Sequence, residues 1–311
     1  MSGIGVITNP RSRQNRRNPA LARRLAYILG ERGLLEQPTD LDALDRVALQ
    51  LKDREIDVVA INGGDGTSHV VLSALVRAYG DAPLPQIALL RGGTMNTVAR
   101  GLGISGSPQE LLGRLTALYH RDEPMASVQR NLLRVGDQAG FLFGNGVISN
   151  FLEAYYEGSE PTPARAAWLL TRAVASTLVQ GKLVKRLSRP LRARVLLDGR
   201  ELPDFPWIAL AAGTVDDIGL GFRPFYKAPG HPGAMHAVGF GCTPGQLVPD
   251  LWNIYRARAT RHPRIVDGLC RVMEIESLDA QPLNFMIDGD FHRGGQRLEV
   301  RVGPRVQMLT L

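Results

Sequence analysis

The 311-residue chain reads as an α/β domain on a doubly wound parallel sheet, followed by a mainly β domain of sandwich type. Three observations predict this. Over residues 3–120, short apolar runs alternate with amphipathic helical spacing, the pattern of a parallel sheet covered on both faces. Two of those runs end in glycine-rich turns, Asn62-Gly63-Gly64-Asp65-Gly66-Thr67 and Arg91-Gly92-Gly93-Thr94. Beyond Asp122–Pro124 the pattern changes to short strands separated by glycine and proline turns. The expected division is a first domain over 1–123 and a second over 124–311.

Taken in order, residues 3–8 (GIGVIT) are an apolar strand that ends at the Asn9-Pro10 turn. After a basic loop, residues 19–32 set Leu21, Leu25, Ile28 and Leu29 at helical spacing, with Gly33 as the expected terminating glycine. Thr39-Asp40-Leu41-Asp42 has the form of a capping box, Thr39 as N-cap and a carboxylate three residues on. The helix it opens sets Leu41, Leu44, Val47, Ala48 and Leu51 on one side. Residues 57–61 (DVVAI) are a β-branched strand, and the helix after its glycine turn carries Val70, Val71, Leu72, Ala74, Leu75 and Val76, with Thr67 placed to cap it. Residues 86–90 (QIALL) are another strand, and two helices follow over 99–102 and Pro108–His120. The remainder predicts strands over 128–135, 140–148, Leu191–Leu197, 207–212, 234–239, 270–276, 283–287 and 297–302. Asp198-Gly199 has hairpin-turn chemistry, and helices are expected over 163–187 and 245–258.

Composition narrows the class. At 44% hydrophobic and 22% charged residues the chain is globular. No run of eighteen apolar residues is present, so no membrane-spanning helix is expected. The first residues lack the apolar core of a secretory signal. Two cysteines, Cys242 and Cys270, and scattered histidines give neither a disulfide framework nor a metal-ligand spacing, so a cytoplasmic chain with no protein-built metal site is expected. The net charge is +7, and only four of the 37 basic side chains are lysine. The planar guanidinium grips phosphates through paired hydrogen bonds. Nucleotide, nucleic acid or anionic lipid all fit that excess, as does a plain preference for arginine codons.

The chemistry-bearing motifs sit mostly at strand ends, where open parallel sheets bind ligands. In Asn62–Thr67 three glycines let backbone approach a bulky anion, and the next helix presents free N–H groups to phosphate. Asp65 is out of place beside phosphate unless it holds Mg²⁺, a positioned water or the attacking hydroxyl. In the second turn, Thr94 and Asn96 offer neutral hydrogen bonds. Asn9-Pro10-Arg11-Ser12-Arg13, after the first strand, combines small polar groups with arginine. Near the C-terminus, Asp288-Gly289-Asp290 reads either as a hairpin turn or as the source of a general base.

These four motifs, in this order, resemble the diacylglycerol kinase catalytic family, which includes bacterial lipid kinases and sphingosine and ceramide kinases. Its pattern runs roughly NPxSG, GGDGTxNE, GTxND and DGE, matched here by Asn9–Arg13, Gly63–Val70, Gly93–Thr97 and Asp288–Asp290. The resemblance implies a two-domain kinase. Its first domain would be like those of NAD kinases and phosphofructokinases, its second a β-sandwich for the lipid, with a last strand at about 304–311 returning to the first domain. It further implies ATP and Mg²⁺ as cofactors and a lipid hydroxyl as acceptor. Asn9, Pro10, Arg11, Ser12, Thr39, Gly63, Gly64, Asp65, Gly66, Thr67, Gly93, Thr94 and Asn96 would form the ATP site, and Asp290, with Asp65, would activate the hydroxyl. Four positions depart from the pattern: Arg13 for glycine, Val70 for glutamate, Thr97 for aspartate, and Asp290 for glutamate. The last shortens the reach by about 1.5 Å, a displacement that can cost rate. Residues 225–233 (FYKAPGHPG) lack the aspartates of the family's metal-binding stretch, so that structural site is not expected. An NAD kinase-like enzyme acting on a soluble hydroxyl, and a non-catalytic lipid- or nucleotide-binding relative, remain alternatives.

Between Glu160 and Asp198 lie eight basic residues and no acidic one. Arg165, Trp168, Arg172, Lys182, Lys185 and Arg186 suit an anionic membrane surface, while a core-packed helix with a solvated basic face explains them equally. Arg256, Arg258, Arg261 and Arg264 extend the basic character. The expectation is peripheral contact with the inner face of a membrane and no nucleic-acid partner, with a homodimer left open.

Overall fold

A computed structural model of the chain describes residues 3–31, 33–93, 96–149, 190–218 and 221–311. Its contacts gather into two compact units. Unit one is Met1–Leu132 with Asp137–Gly140 and Pro304–Leu311; unit two is Leu133–Gly136 and Phe141–Gly303.

Unit one is built on four parallel strands, β1 (Ile4–Thr8), β2 (Leu34–Glu36), β3 (Val58–Asn62) and β4 (Gln86–Leu89), in the order β4-β3-β1-β2. Every residue of β1 and β3 is buried, because a parallel sheet with helical crossovers is covered on both faces. The covering helices are α1 (Arg13–Arg17), α2 (Leu21–Leu29), α3 (Leu41–Asp53), α4 (Asp65–Tyr79), α5 (Thr97–Gly101) and α6 (Pro108–His120). Leu21, Leu25 and Leu29 form the buried stripe of α2; Leu44, Val47, Ala48 and Leu51 that of α3. On α4 even Ser68, His69 and Ser73 are buried. Strand β6 (Gln138–Gly140) supplies partners to two of them: Ala139 O lies 2.8 Å from His69 Nδ1 and 3.2 Å from Ser73 Oγ. The last strand, β17 (Arg297–Leu309), brings Met308 and Leu309 alongside Ile87 and Ala88 of β4, again parallel.

Unit two holds two antiparallel arrays. In the first, β10 (Pro206–Trp207), β8 (Leu191–Leu197), β14 (Val272–Ser277) and the first part of β17 lie in that order, with β9 (Arg200–Glu201) on β8. The second runs β13 (Ile265–Cys270), β12 (Met235–Phe240), β11 (Ala209–Gly213), β7 (Leu142–Gly146), β15 (Phe285–Ile287) and β16 (Asp290–His292). Val195, Met273, Ile275 and Val300 from the first share one apolar core with Phe143, Leu210, Met235 and Ile287 from the second. That is a β-sandwich. Helix α7 (Pro244–Tyr255) belongs to the same unit. Among the described residues no helix is long and apolar enough to cross a membrane.

Several sequence expectations change locally. Helix α2 ends at Leu29, with Gly30 at φ 72° as its cap, three residues before Gly33. Asp40, not Thr39, caps α3, because its Oδ1 accepts the Ala43 N–H at 2.8 Å. Helix α4 is capped by Gly64 and already contains Thr67. The strand expected over 140–148 divides at Phe141 into β6 and β7. Strands β2 and β13 and the short helix α1 have no counterpart in the sequence reading. The helix expected over 163–187 lies outside the described residues.

Candidate nucleotide site

Three loops leave the carboxyl ends of adjacent strands β1, β3 and β4, and the segment holding Thr39 leaves β2 at the same edge. An amide ladder joins the first two loops. Asn9 N donates to Asn62 O at 3.1 Å, Asn62 Nδ2 donates to Asn15 Oδ1 at 3.1 Å, and Asn15 Nδ2 donates to Asn9 O at 2.6 Å. Asn9 Nδ2 also donates to Thr67 Oγ1 at 2.9 Å, tying the β1 loop to the first turn of α4. Asn15 and Asn62 were not among the expected site residues; the two uncharged amides in the basic run Arg11–Arg17, Gln14 and Asn15, were the available signal.

The glycines of the second and third loops face each other. A methyl carbon on Gly93 would stand 2.2 Å from Gly64 Cα, and one on Gly92 would stand 2.4 Å from Asn62 Oδ1. Backbone therefore meets backbone here, and the glycines serve loop-to-loop packing. Asn96, at φ 47°, is turned into its own loop: Oδ1 accepts the Gly93 N–H at 3.2 Å, and Nδ2 donates to Arg91 O and Gly93 O. Thr94 lies outside the described residues.

Asp65 faces α5. Its Oδ1 accepts the Val98 N–H at 3.4 Å. Burial raises its pKa, while the Thr97 and Val98 N–H groups and the Thr97 hydroxyl act in the opposite sense. The carboxylate thus caps a helix that Asn96 enters in a left-handed conformation. Thr39 is exposed, and its hydroxyl donates to Asp40 at 3.1 Å. Asp40 itself is lowered, first by the Ala43 N–H, then by Thr39, with Arg46 and Arg11 adding charge. Pro10 and Arg11 are exposed beside that segment.

The hydroxyls of Thr8 and Ser12 are buried and have no hydrogen-bond partner. Helix α4 starts behind a glycine cap that makes no side-chain hydrogen bond, and the first N–H groups of a helix have no partner within it. Unmatched donors at a helix N-terminus make an oxyanion site. That donor set fits the phosphates of a nucleotide. No group of three or more His, Cys, Asp or Glu side chains gathers among the described residues.

In unit two the Asp288-Gly289 pair is a tight turn, φ 48° and 93°, between β15 and β16. The Asp288 carboxylate is buried and accepts the Phe141 N–H at 3.0 Å and the Leu142 N–H at 2.8 Å, which makes it a structural clamp. Asp290 opens β16, half-buried, opposite Ile287. In the 225–233 segment, the Lys227 ammonium pairs with Asp267 at 3.0 Å, joined by the Tyr226 hydroxyl at 3.1 Å. Arg165, Trp168, Arg172, Lys182, Lys185 and Arg186 lie outside the described residues.

An α/β unit with glycine-rich loops on adjacent strand ends, joined to a β-sandwich, is the class that fold and site define. Residues 3–127 match the family model described as the diacylglycerol kinase catalytic domain. Over its whole length the chain also superposes on a diacylglycerol kinase of Bacillus anthracis strain Sterne, at 13% identity, TM-score 0.63 and 97% coverage of that chain. A second structure, assigned as a diacylglycerol kinase of the same strain, gives 14% identity, TM-score 0.70 and the same coverages, 100% of this chain and 97% of that one. At such identities the structures bear on the fold. No curated protein matches the chain. The domain match covers residues 3–127, and the superpositions show a shared architecture over the whole chain.

Proposed function

We propose that the chain is an ATP-dependent lipid kinase that phosphorylates a hydroxyl of a diacylglycerol- or sphingoid-like lipid. The observation that carries this reading is the set of unmatched donors at Thr8, Ser12 and the start of α4, in a domain that matches a diacylglycerol kinase catalytic domain. Those donors hold the nucleotide phosphates, with Arg11 beside them. Asp65 acts as a positioning residue by fixing the start of α5. Asp290 accepts the proton as the lipid oxygen bonds to the γ-phosphorus; the bond from that phosphorus to the β–γ bridging oxygen breaks, and ADP leaves. Mg²⁺ bound with the nucleotide would neutralise phosphate charge. The acceptor must be drawn from a bilayer, so the chain works peripherally on a membrane surface.

The test is labelled ATP with diacylglycerol, monoacylglycerol, sphingosine and ceramide. One labelled lipid is expected, and Asp290→Asn should lower turnover by about 100-fold or more with an unchanged melting temperature. Labelled NAD instead of lipid, or nucleotide binding without any labelled product, would overturn the proposal.

A further inference from the structure

We propose that the end of α7 and the segment after it form a face that docks on an anionic membrane surface. Trp252 is 58% exposed, Tyr255 47% and Ile218 42%, three of the four exposed large apolar side chains described in unit two. They are organised. The Trp252 and Tyr255 rings stack with centroids 5.8 Å apart and 12° between planes, and Phe222 meets Tyr255 edge-on at 5.9 Å. The Phe222 loop carries Ile218, whose N–H donates to Phe222 O. Exposed aromatic side chains organised this way in water mark a contact surface.

Charge identifies the occupant. From Leu251 to Val266 the chain carries Arg256, Arg258, Arg261 and Arg264 and no acidic residue. All four arginines are exposed. Asp250 is buried, and its carboxylate accepts N–H groups of Asn253, Arg261 and His262 at 2.8 to 3.0 Å. That clamp folds the arginine segment back along α7 and turns the one nearby carboxylate of the helix inward. Asp216 and Asp217 lie on the Ile218 loop, and Asp216 stands 3.7 Å from Arg223. The result is an aromatic pair beside a cationic rim. Trp and Tyr settle at the headgroup level of a bilayer, and each Lys or Arg near an anionic leaflet adds attraction. A single-stranded nucleic acid would need open ring faces on which to stack. Here one ring covers the other, and the Arg256 guanidinium lies 4.5 Å from the indole centre.

This deepens the lipid-kinase reading and rests on it for its purpose, but binding is measured without nucleotide and so fails separately. The full chain is sedimented with phosphatidylcholine vesicles with and without phosphatidylglycerol. Binding is expected only to the mixed vesicles and should weaken with salt. Trp252→Ala/Tyr255→Ala should weaken it about tenfold, and Arg256→Gln/Arg258→Gln/Arg261→Gln about 100-fold, at roughly fivefold per charge. Both variants should melt like the parent chain, since every substituted side chain is exposed. Parental binding by both variants, or equal binding to uncharged vesicles, would overturn the proposal. So would loss of RNA binding in these variants with vesicle binding intact.

Discussion

At Gly93 a single methyl group decides whether two loops can coexist. Its carbon would stand 2.2 Å from Gly64 Cα and 2.9 Å from Gly64 N, and neither atom can rotate away as a side-chain tip could. Gly93→Ala should therefore push the β4–α5 loop off the β3–α4 loop, weaken ATP binding at least tenfold by calorimetry, and cost about 1–3 kcal/mol of stability. Gly113, within α6, is the control. A methyl group there meets nothing within 4 Å, so alanine should add up to about 1 kcal/mol through helix propensity and leave nucleotide affinity unchanged. Equal losses at both positions would show that loop packing is not what Gly93 supplies. The same residues show where the sequence was legible. Glycine turns at strand ends were visible as candidate phosphate loops, because open parallel sheets bind ligands at the carboxyl ends of their strands. That Gly64 and Gly93 serve each other was not visible, since their contact joins positions 29 apart in sequence. Asp65 carried the same ambiguity: its partners, Thr97 and Val98, lie more than thirty residues away.

Among the elements, α6 was read with both ends correct, and its sequence explains why. Ser107 and Glu110 form a complete capping box, Pro108 fits the first turn, and Leu111, Leu112 and Leu115 are buried. Helix α3 was read with its cap one residue early, because Thr39 and Asp40 are both good caps and only the fold selects between them. What α6 does for the sheet needed coordinates. Near its end the Tyr119 hydroxyl donates to Asp57 Oδ2 at 2.5 Å and accepts the Gly3 N–H at 2.9 Å, pinning the helix to the entries of β1 and β3. Burial first, and then the bond to the Asp57 carboxylate, push the Tyr119 pKa up to about 12, against an ordinary 10.0. The folded state thus favours the neutral phenol. Its contribution is complete below about pH 10 and is lost as pH rises from about 10 to about 12. Tyr119→Phe should cost about 1–2 kcal/mol at neutral pH, and the decline in stability between pH 10 and 12 should become shallower. It should not vanish, because Tyr79, Tyr226 and Lys227 are also shifted upward. An unchanged alkaline slope in urea titrations of the variant would rule out Tyr119 as its source.

On the scale of the whole molecule, unit one is assembled from three separated stretches, and that makes it dependent on the far end of the chain. The alternating pattern of residues 3–120 shows a parallel sheet without showing that an outer strand is supplied by residues 304–311. That expectation came from resemblance. Periodicity could not provide it, because one long strand reads the same wherever its neighbours lie. Three side chains of this stretch, Val306, Met308 and Leu309, are at most 1% exposed, and Met308 and Leu309 lie beside Ile87 and Ala88. The Thr310 N–H adds a bond to Ala126 O at 2.9 Å. At about 2 kcal/mol per buried aliphatic side chain, losing the three removes about 6 kcal/mol, comparable with the whole stability of an ordinary domain. Losing Ala139 also deprives Ser73 on α4 of its partners. Residues 1–132 expressed alone should therefore show no cooperative thermal transition by circular dichroism. Residues 1–140 joined through a flexible glycine–serine linker to 304–311 should recover one and bind ATP. A cooperative melt of 1–132 at the temperature of the full chain would show instead that β1–β4 and their helices suffice, and that the returning strand is an ornament of the fold.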